Sequence, residues 1–201
     1  MKRLGILFVI SAPSGAGKST ICSSLRQTPD TVYAVSCTTR TPRAGETDGE
    51  DYHFMEATDF QRRIGAGDFL EYARVHDHYY GTLRQSIVDT LRAGTDVLVD
   101  IDVQGAKTIR KSTDPFISDS LVDIFIMPPS LEELRHRLEK RGTESAGQID
   151  FRLTNAAAEM KCWREYKYTI ISGSMEEDLT KFRAITRAER YLSRRIISLE
   201  N

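Results

Sequence analysis

The chain has 201 residues, 40% hydrophobic and 28% charged, with 28 lysines and arginines against 29 aspartates and glutamates for a formal net charge of -1. That length suits one α/β domain with room for insertions, and the composition excludes a disordered chain or a polyelectrolyte that grips nucleic acid by bulk charge. Three cysteines (Cys22, Cys37, Cys162) and four histidines lack the paired spacing of zinc sites or disulfide frameworks, so reduced structural thiols are expected.

The opening MKRLGILFVISAPSG sets two basic residues before an apolar run, as a signal peptide does, but the run is too short to span a bilayer and leads into a glycine turn. Leu4 to Ile10 is therefore expected to form a buried parallel strand, in a cytoplasmic protein with no membrane or nucleic-acid partner.

The next stretch, SAPSGAGKST, runs from Ser11 to Thr20 and opens a helical pattern over Gly17 to Leu25. In GxxxxGK[ST], closely spaced backbone N–H groups wrap nucleotide phosphates, glycines allow the turns, and the helix N-terminus adds its positive end. The expected triphosphate site is Ala12, Pro13, Ser14, Gly15, Ala16, Gly17, Lys18, Ser19 and Thr20, with Lys18 reaching the terminal phosphates and Ser19 holding Mg²⁺. Ala12 replaces the first glycine of the strict pattern.

From Val32 to Arg84 the texture changes to a small mixed insertion. Val32 to Thr38 and Asp51 to Met55 read as short strands, Thr58 to Ile64 as a helix, and Phe69 to Thr82 as a hairpin bent at Asp77 and His78. Within it, SCTTRTPRAGETDGEDYHF gathers Ser36, Arg40, Arg43, Glu46 and Tyr52 in a span with no core periodicity. Guanidinium forks with nearby hydroxyls suit a phosphate.

Apolar runs at Val97 to Ile101, Leu121 to Met127 and Tyr168 to Ile171 alternate with helical patterns, the signature of a parallel sheet with crossover helices. Asp100 and Asp102 end the first of them, where open parallel sheets place ligands. Asp100 is the candidate to meet Lys18 or Mg²⁺ through water, as a Walker-B acid does. Arg135 to Leu153 reads as helix, polar loop, helix, with Arg137, Arg141 and Arg152 near the loop. Ser130 with Glu133 and Ser174 with Glu177 mark helix starts as capping boxes, and the last helix is expected from about Ser174 to Ile197.

In order and spacing, SAPSGAGKST, TTRTPRAGE, the YYG of Tyr79 to Gly81, VLVDIDVQGAK and PPSLEELRHRLEKRGTE resemble guanylate kinases. The resemblance implies a P-loop core (1–31, 85–134 and 154–201), a GMP-binding domain (32–84) and a helical lid (135–153). It implies Mg²⁺-dependent transfer of the ATP γ-phosphoryl to GMP, by a monomer or homodimer. Ser36, Arg40, Arg43, Tyr52 and Tyr80 would take the GMP phosphate, with Glu46 and Gly81 in the same site. Glu71, Thr82 and Asp102 would lie around the guanosine. Lys18, Arg43, Arg141, Arg152 and Arg137 would act on the transferred group. The sequence departs from the family at Ala146, Gly147 and Ser172.

Guanine offers N1–H and N2–H₂ as donors and O6 as acceptor, so a carboxylate with a hydroxyl donor matches its edge, as Glu71 with Thr82 or Ser36 would. A kinase-dead protein-binding module is the alternative, and its kind typically loses residues such as Lys18, Arg40 and Arg43, which this chain keeps. A regulatory GTPase is disfavoured because no NKxD-like guanine motif is present.

Overall fold

The computed structural model describes residues 2–26, 31–75, 77–142 and 144–197, apart from the side chains of Lys2, Ser19 and Ile197. A two-residue strand, β1 (Lys2–Arg3), precedes β2 (Leu7–Ser11), whose five residues are all buried. The long strand starts later than the expected Leu4. A Cβ on Gly5 would fall 2.0 Å from the Thr95 carbonyl oxygen, so the chain enters the sheet through a close backbone approach that only glycine permits.

The phosphate loop leads into α1 (Lys18–Leu25), followed by the short strands β3 (Thr31–Tyr33), β4 (Cys37–Thr38) and β5 (His53–Phe54). Helix α2 (Ala57–Ala66) stops at Gly67, whose φ of 73° is the left-handed cap that glycine favours. The hairpin then forms from β6 (Phe69–Val75) and β7 (His78–Leu83). Next come α3 (Arg84–Arg92), β8 (Asp96–Asp100), α4 (Val103–Arg110), α5 (Pro115–Ser120) and β9 (Leu121–Met127). The chain closes with α6 (Leu131–Arg141), α7 (Ala146–Met160), a 3₁₀ turn at Lys161–Glu165, β10 (Tyr168–Ile171), α8 (Met175–Arg190) and β11 (Ile196–Ile197).

Five strands make a wholly parallel sheet in the order β10-β9-β2-β8-β3, with helices on both faces. The period of two explains the two cores. Ile6, Phe8 and Ile10 point to one side, with Ile21 and Leu25 of α1 and Phe182 of α8. Leu7 and Val9 point to the other, with Ile87 and Leu91 of α3, Ile109 of α4 and Ile117 of α5. Because β2 is central and β8 its neighbour, the loops that follow them meet at one carboxyl edge.

A second, mixed sheet runs β5-β4-β7-β6. Val32 to Thr38 is thus two strands and not one: Thr31–Tyr33 pairs in parallel with β8 in the central sheet, whereas Cys37–Thr38 pairs with β7 in the mixed one. The terminal helix also differs from expectation. It ends at Arg190, and the chain turns through Ser193–Arg195 so that Ile196 can pair with Arg3, a contact across the whole chain. The capping box at Ser174 and Glu177 is complete. At Ser130 only half forms, because the Glu133 carboxylate accepts from Arg137 instead of from the cap. No helix among the described residues is long and apolar enough to cross a membrane.

Asp96, at the start of β8, is completely buried and ties three distant segments together. It accepts from the Ile6 amide at 2.9 Å, from Arg3 at 2.5 Å and from Arg190 at 2.7 Å. Removing the carboxylate would leave the buried Ile6 amide without its acceptor and take one partner from each of two guanidinium groups. Asp96→Ala should therefore lose about 3 kcal/mol in urea unfolding; a loss within error of zero would mean that the clamp is not coupled to global stability.

Candidate active site

The phosphate loop leaves the edge of β2 with Gly15 at φ 90° and Gly17 at φ 92°. At Gly15 a Cβ would also meet Leu138 Cδ2 at 2.7 Å, so α6 packs directly on the bare backbone. Ala12 fits where the strict pattern has glycine because its methyl joins the core cluster around Ile10 and Ile21. Lys18, the first residue of α1, forms an ion pair with Asp100 and donates to the Ile101 carbonyl at 3.0 Å. The expected meeting of Lys18 with Asp100 is therefore present. Beneath them burial, then the charge of Asp100, pushes the Cys22 thiol far above its ordinary range, an inert thiol. The side chain of Ser19, expected at Mg²⁺, lies outside the described residues.

A cavity of about 320 Å³ opens over this loop, lined by Ala12 through Lys18 together with Asp102, Arg141, Arg152 and Glu159. Arg152 donates to the Ser14 hydroxyl at 3.3 Å and pairs with Glu144 at 2.8 Å. Arg141 and Arg152 are held in place because α6 and α7 share a small apolar core of Leu134, Leu138, Ile149, Leu153 and Ala156. Arg137 is not brought to the cavity. Its guanidinium donates to Glu133 at 2.8 Å and to Ser172 at 3.1 Å, which carries it toward the end of β10.

On the mixed sheet the polar loop organises around a carboxylate. Glu46 receives both guanidinium nitrogens of Arg40 at 2.9 Å and the Arg43 backbone N–H at 2.7 Å, so it braces the two arginines. The Arg40 guanidinium lies 5.5 Å from the Tyr52 ring, and Tyr52 meets Tyr80 edge to face at 5.9 Å. The backbone carbonyl of Ser36 accepts from His53 at 2.9 Å, which fixes the loop to β5.

Between the two sheets sits Glu71. A register shift between Phe69 and Glu71 sets Glu71 opposite Thr82, and the Thr82 hydroxyl donates to the carboxylate at 2.7 Å. Gly81 lets the strands close here, since a Cβ would lie 3.0 Å from the Glu71 carbonyl oxygen. Gly105, a residue that sequence reasoning passed over, does the same from α4, where a Cβ would stand 3.0 Å from Glu71 Oε2. Burial pushes the Glu71 carboxyl from 4.5 to about 7, the Thr82 hydroxyl opposes the rise, and the negative charge of Asp102 adds to it. Asp102 caps α4 by accepting from the Gly105 amide at 2.8 Å. It lines both the loop cavity and a second cleft of about 410 Å³ beside Tyr72, Arg74, Gln104 and Thr108.

Two residues carried no sequence signal: Glu159, which lines the cavity, and Glu144, which pairs with Arg152. Glu159 stands seven positions after Arg152 in α7, on the same helical face, and its carboxylate accepts from the Ser14 backbone N–H at 3.1 Å.

A family model described as guanylate kinase matches residues 5–189. The guanylate kinase of Caldanaerobacter subterraneus subsp. tengcongensis is 44% identical over 191 residues, covering 94% of this chain and 90% of that protein. That of Sphingopyxis alaskensis is 44% identical over 200 residues, covering 99% and 89%. The crystal structure of guanylate kinase from Anaplasma phagocytophilum superposes with a TM-score of 0.79 at 34% identity, covering 99% of this chain and 93% of that one.

A buried carboxylate with a raised titration point weakens the fold when it ionises. In the unfolded chain Glu71 ionises near 4.5 and in the folded one near 7, so its contribution to stability is intact below pH 4.5 and falls as pH rises through 7. The loss is on the order of 1.4 kcal/mol for each pH unit between those values. Glu71→Gln, which cannot ionise, should gain on the wild type by about 3 kcal/mol between pH 4.5 and pH 8 in urea unfolding of the ligand-free protein. A wild-type to variant difference that does not change with pH would contradict this assignment.

Proposed function

The chain belongs to the guanylate kinase family, and from that membership we propose a role for each half of the site. The protein is an enzyme that transfers the γ-phosphoryl group of ATP to GMP, giving ADP and GDP. In the proposed division of labour, Ala12 to Thr20 hold the ATP phosphates, residues of the mixed sheet hold GMP, and α6 with the start of α7 form the lid.

The reading rests first on one observation, the buried pair of Glu71 and Thr82. Guanine N1–H and N2–H₂ would donate to Glu71, and O6 would accept from the Ser36 hydroxyl, because the one Thr82 hydroxyl proton already goes to Glu71. Two donors from the base favour the charged carboxylate, so binding draws the Glu71 proton away and offsets its burial. Adenine presents the opposite polarity at N1 and its exocyclic position and would give Glu71 no donor where guanine gives two.

The remaining roles follow the charge. Arg40, Arg43, Tyr52, Tyr80 and Ser36 would take the GMP phosphate, a role supported by the Glu46 brace on Arg40 and the Arg43 backbone and by the contact of Tyr52 with Tyr80. Lys18, Arg141 and Arg152 face one cavity, so they would meet negative charge on the equatorial oxygens as the γ-group moves between the nucleotides. Arg137 would act from the Ser172 side, outside that lining. The oxygens of Asp100 are hard ligands suited to Mg²⁺, and among the described residues Oδ1 is buried with no hydrogen-bond donor beyond its ion pair with Lys18. Asp100 and Ser19 would hold Mg²⁺, whose chemistry there would be to supply positive charge against the ATP phosphates. Water exclusion falls to the lid, because an open site would spend ATP by hydrolysis.

With ATP and Mg²⁺, a coupled ADP-release assay should give rapid turnover on GMP and poor turnover on AMP, CMP and UMP. Lys18→Ala should lose on the order of a hundred- to a thousand-fold in kcat with an unchanged circular dichroism spectrum. Equal rates on all four monophosphates would contradict the guanine site, and near-normal turnover in Lys18→Ala would contradict the phosphate loop assignment.

A further inference from the structure

One charged group at the phosphate loop has no part in the roles above. Glu159 is half-buried in the last turn of α7 and shares a cavity with Lys18, Arg141 and Arg152. Its carboxylate accepts from the Ser14 backbone N–H at 3.1 Å. In a phosphate loop such an N–H is the kind of donor a phosphate oxygen takes. The same helix reaches the same residue a second time, since Arg152 donates to the Ser14 hydroxyl at 3.3 Å. Glu159 and Arg152 thus hold Ser14 by its amide and its side chain, 145 and 138 positions away along the chain.

A fixed carboxylate is a poor neighbour for a triphosphate. A carboxylate and a phosphate oxygen that compete for one N–H are like charges at close range, and they repel. Glu159 already bears a cost of this kind: burial pushes its carboxyl up, the Ser14 amide relieves it, Asp102 pushes it up again, and Lys18 relieves it.

We propose that Glu159 is a surrogate anion for the empty phosphate loop, which occupies the Ser14 N–H in place of a phosphate oxygen and must release it for ATP to bind. The carboxylate keeps the inward amide satisfied while no nucleotide is present. It also makes filling of the loop a signal to α7, because ATP displaces the C-terminal turn of the helix whose middle carries Arg152. The proposal rests on the reading of Ala12 to Thr20 as the ATP phosphate site.

The test uses the whole chain with Glu159→Gln, which keeps shape and loses charge, and Glu159→Ala, which loses both. Calorimetric titrations with MgATP and, separately, with inorganic tripolyphosphate should give a Kd about tenfold lower in both variants, since the anion no longer has to displace a charged competitor. The Kd for GMP should stay within about twofold. Trp163, the chain's one tryptophan, lies four residues past Glu159 in the 3₁₀ turn, and the midpoint of its fluorescence change with MgATP should move by the same ratio. Unchanged or weaker binding of MgATP and tripolyphosphate in both variants overturns the proposal. So does unfolding of both, which would make Glu159 a structural brace. Lys18→Ala in the same titrations isolates the underlying reading: if it binds tripolyphosphate as well as wild type, the loop assignment itself is wrong, whereas its loss of binding beside unimproved Glu159 variants condemns the surrogate alone.

Discussion

The ion pair of Lys18 and Asp100 sits where the two halves of the site join. Lys18 begins the helix after β2, Asp100 ends β8, and the parallel register of those strands sets Ile10 beside Asp100 at one edge of the sheet. Everything expected of the phosphate chemistry radiates from that point: the glycine loop on one side, Asp102 and α4 on the other, Glu71 beyond them. The pairing also explains why β2 and β8 must be central and buried on both faces. An edge strand could not place both loops over one cavity with helices to support each.

Bringing two polyanions into contact is chiefly a problem of charge. The chain as a whole carries a net charge of -1, so no general positive field attracts the substrates, and the arrangement must do so locally. Lys18, Arg141 and Arg152 face the loop cavity while Arg40 and Arg43 are braced by Glu46 in the mixed sheet. Set among them are two desolvated carboxylates, Glu71 and Glu159, both pushed up by burial and by Asp102. Asp102 is thus the shared neighbour of the two. Both proposed nucleotide positions thus hold a carboxylate whose charged form is disfavoured, a cost of the kind that functional sites commonly carry.

What was legible in the sequence is what neighbouring residues decide among themselves. The phosphate loop, the apolar runs of β2, β8, β9 and β10, and the box of Ser174 with Glu177 all depend on residues a few positions apart. The hairpin was also readable, and Glu71 with Thr82 or Ser36 could be named for the guanine edge; the register shift that sets Glu71 opposite Thr82 could not. Long-range choices were hidden. Thr31–Tyr33 joins β8 more than sixty residues later, and a three-residue strand has no pattern that names its partner. Arg137 already ranked below Arg141 and Arg152, which keep the family spacing, but where it goes was hidden: Glu133 one turn away and Ser172 across the fold claim its guanidinium. Glu159 carried no sequence signal, and only the folding of α7 over the loop gives it Ser14.

The central claim is that one continuous site holds both nucleotides, with their phosphates meeting beside Lys18. A dinucleoside pentaphosphate that joins adenosine to guanosine tests it directly, by inhibition kinetics and calorimetry. The account predicts one molecule bound per chain, competition with both ATP and GMP, and affinity at least about a hundredfold above either nucleotide, because joining the ligands saves one loss of translational freedom. Competition with only one substrate, or affinity no better than that substrate alone, would contradict it.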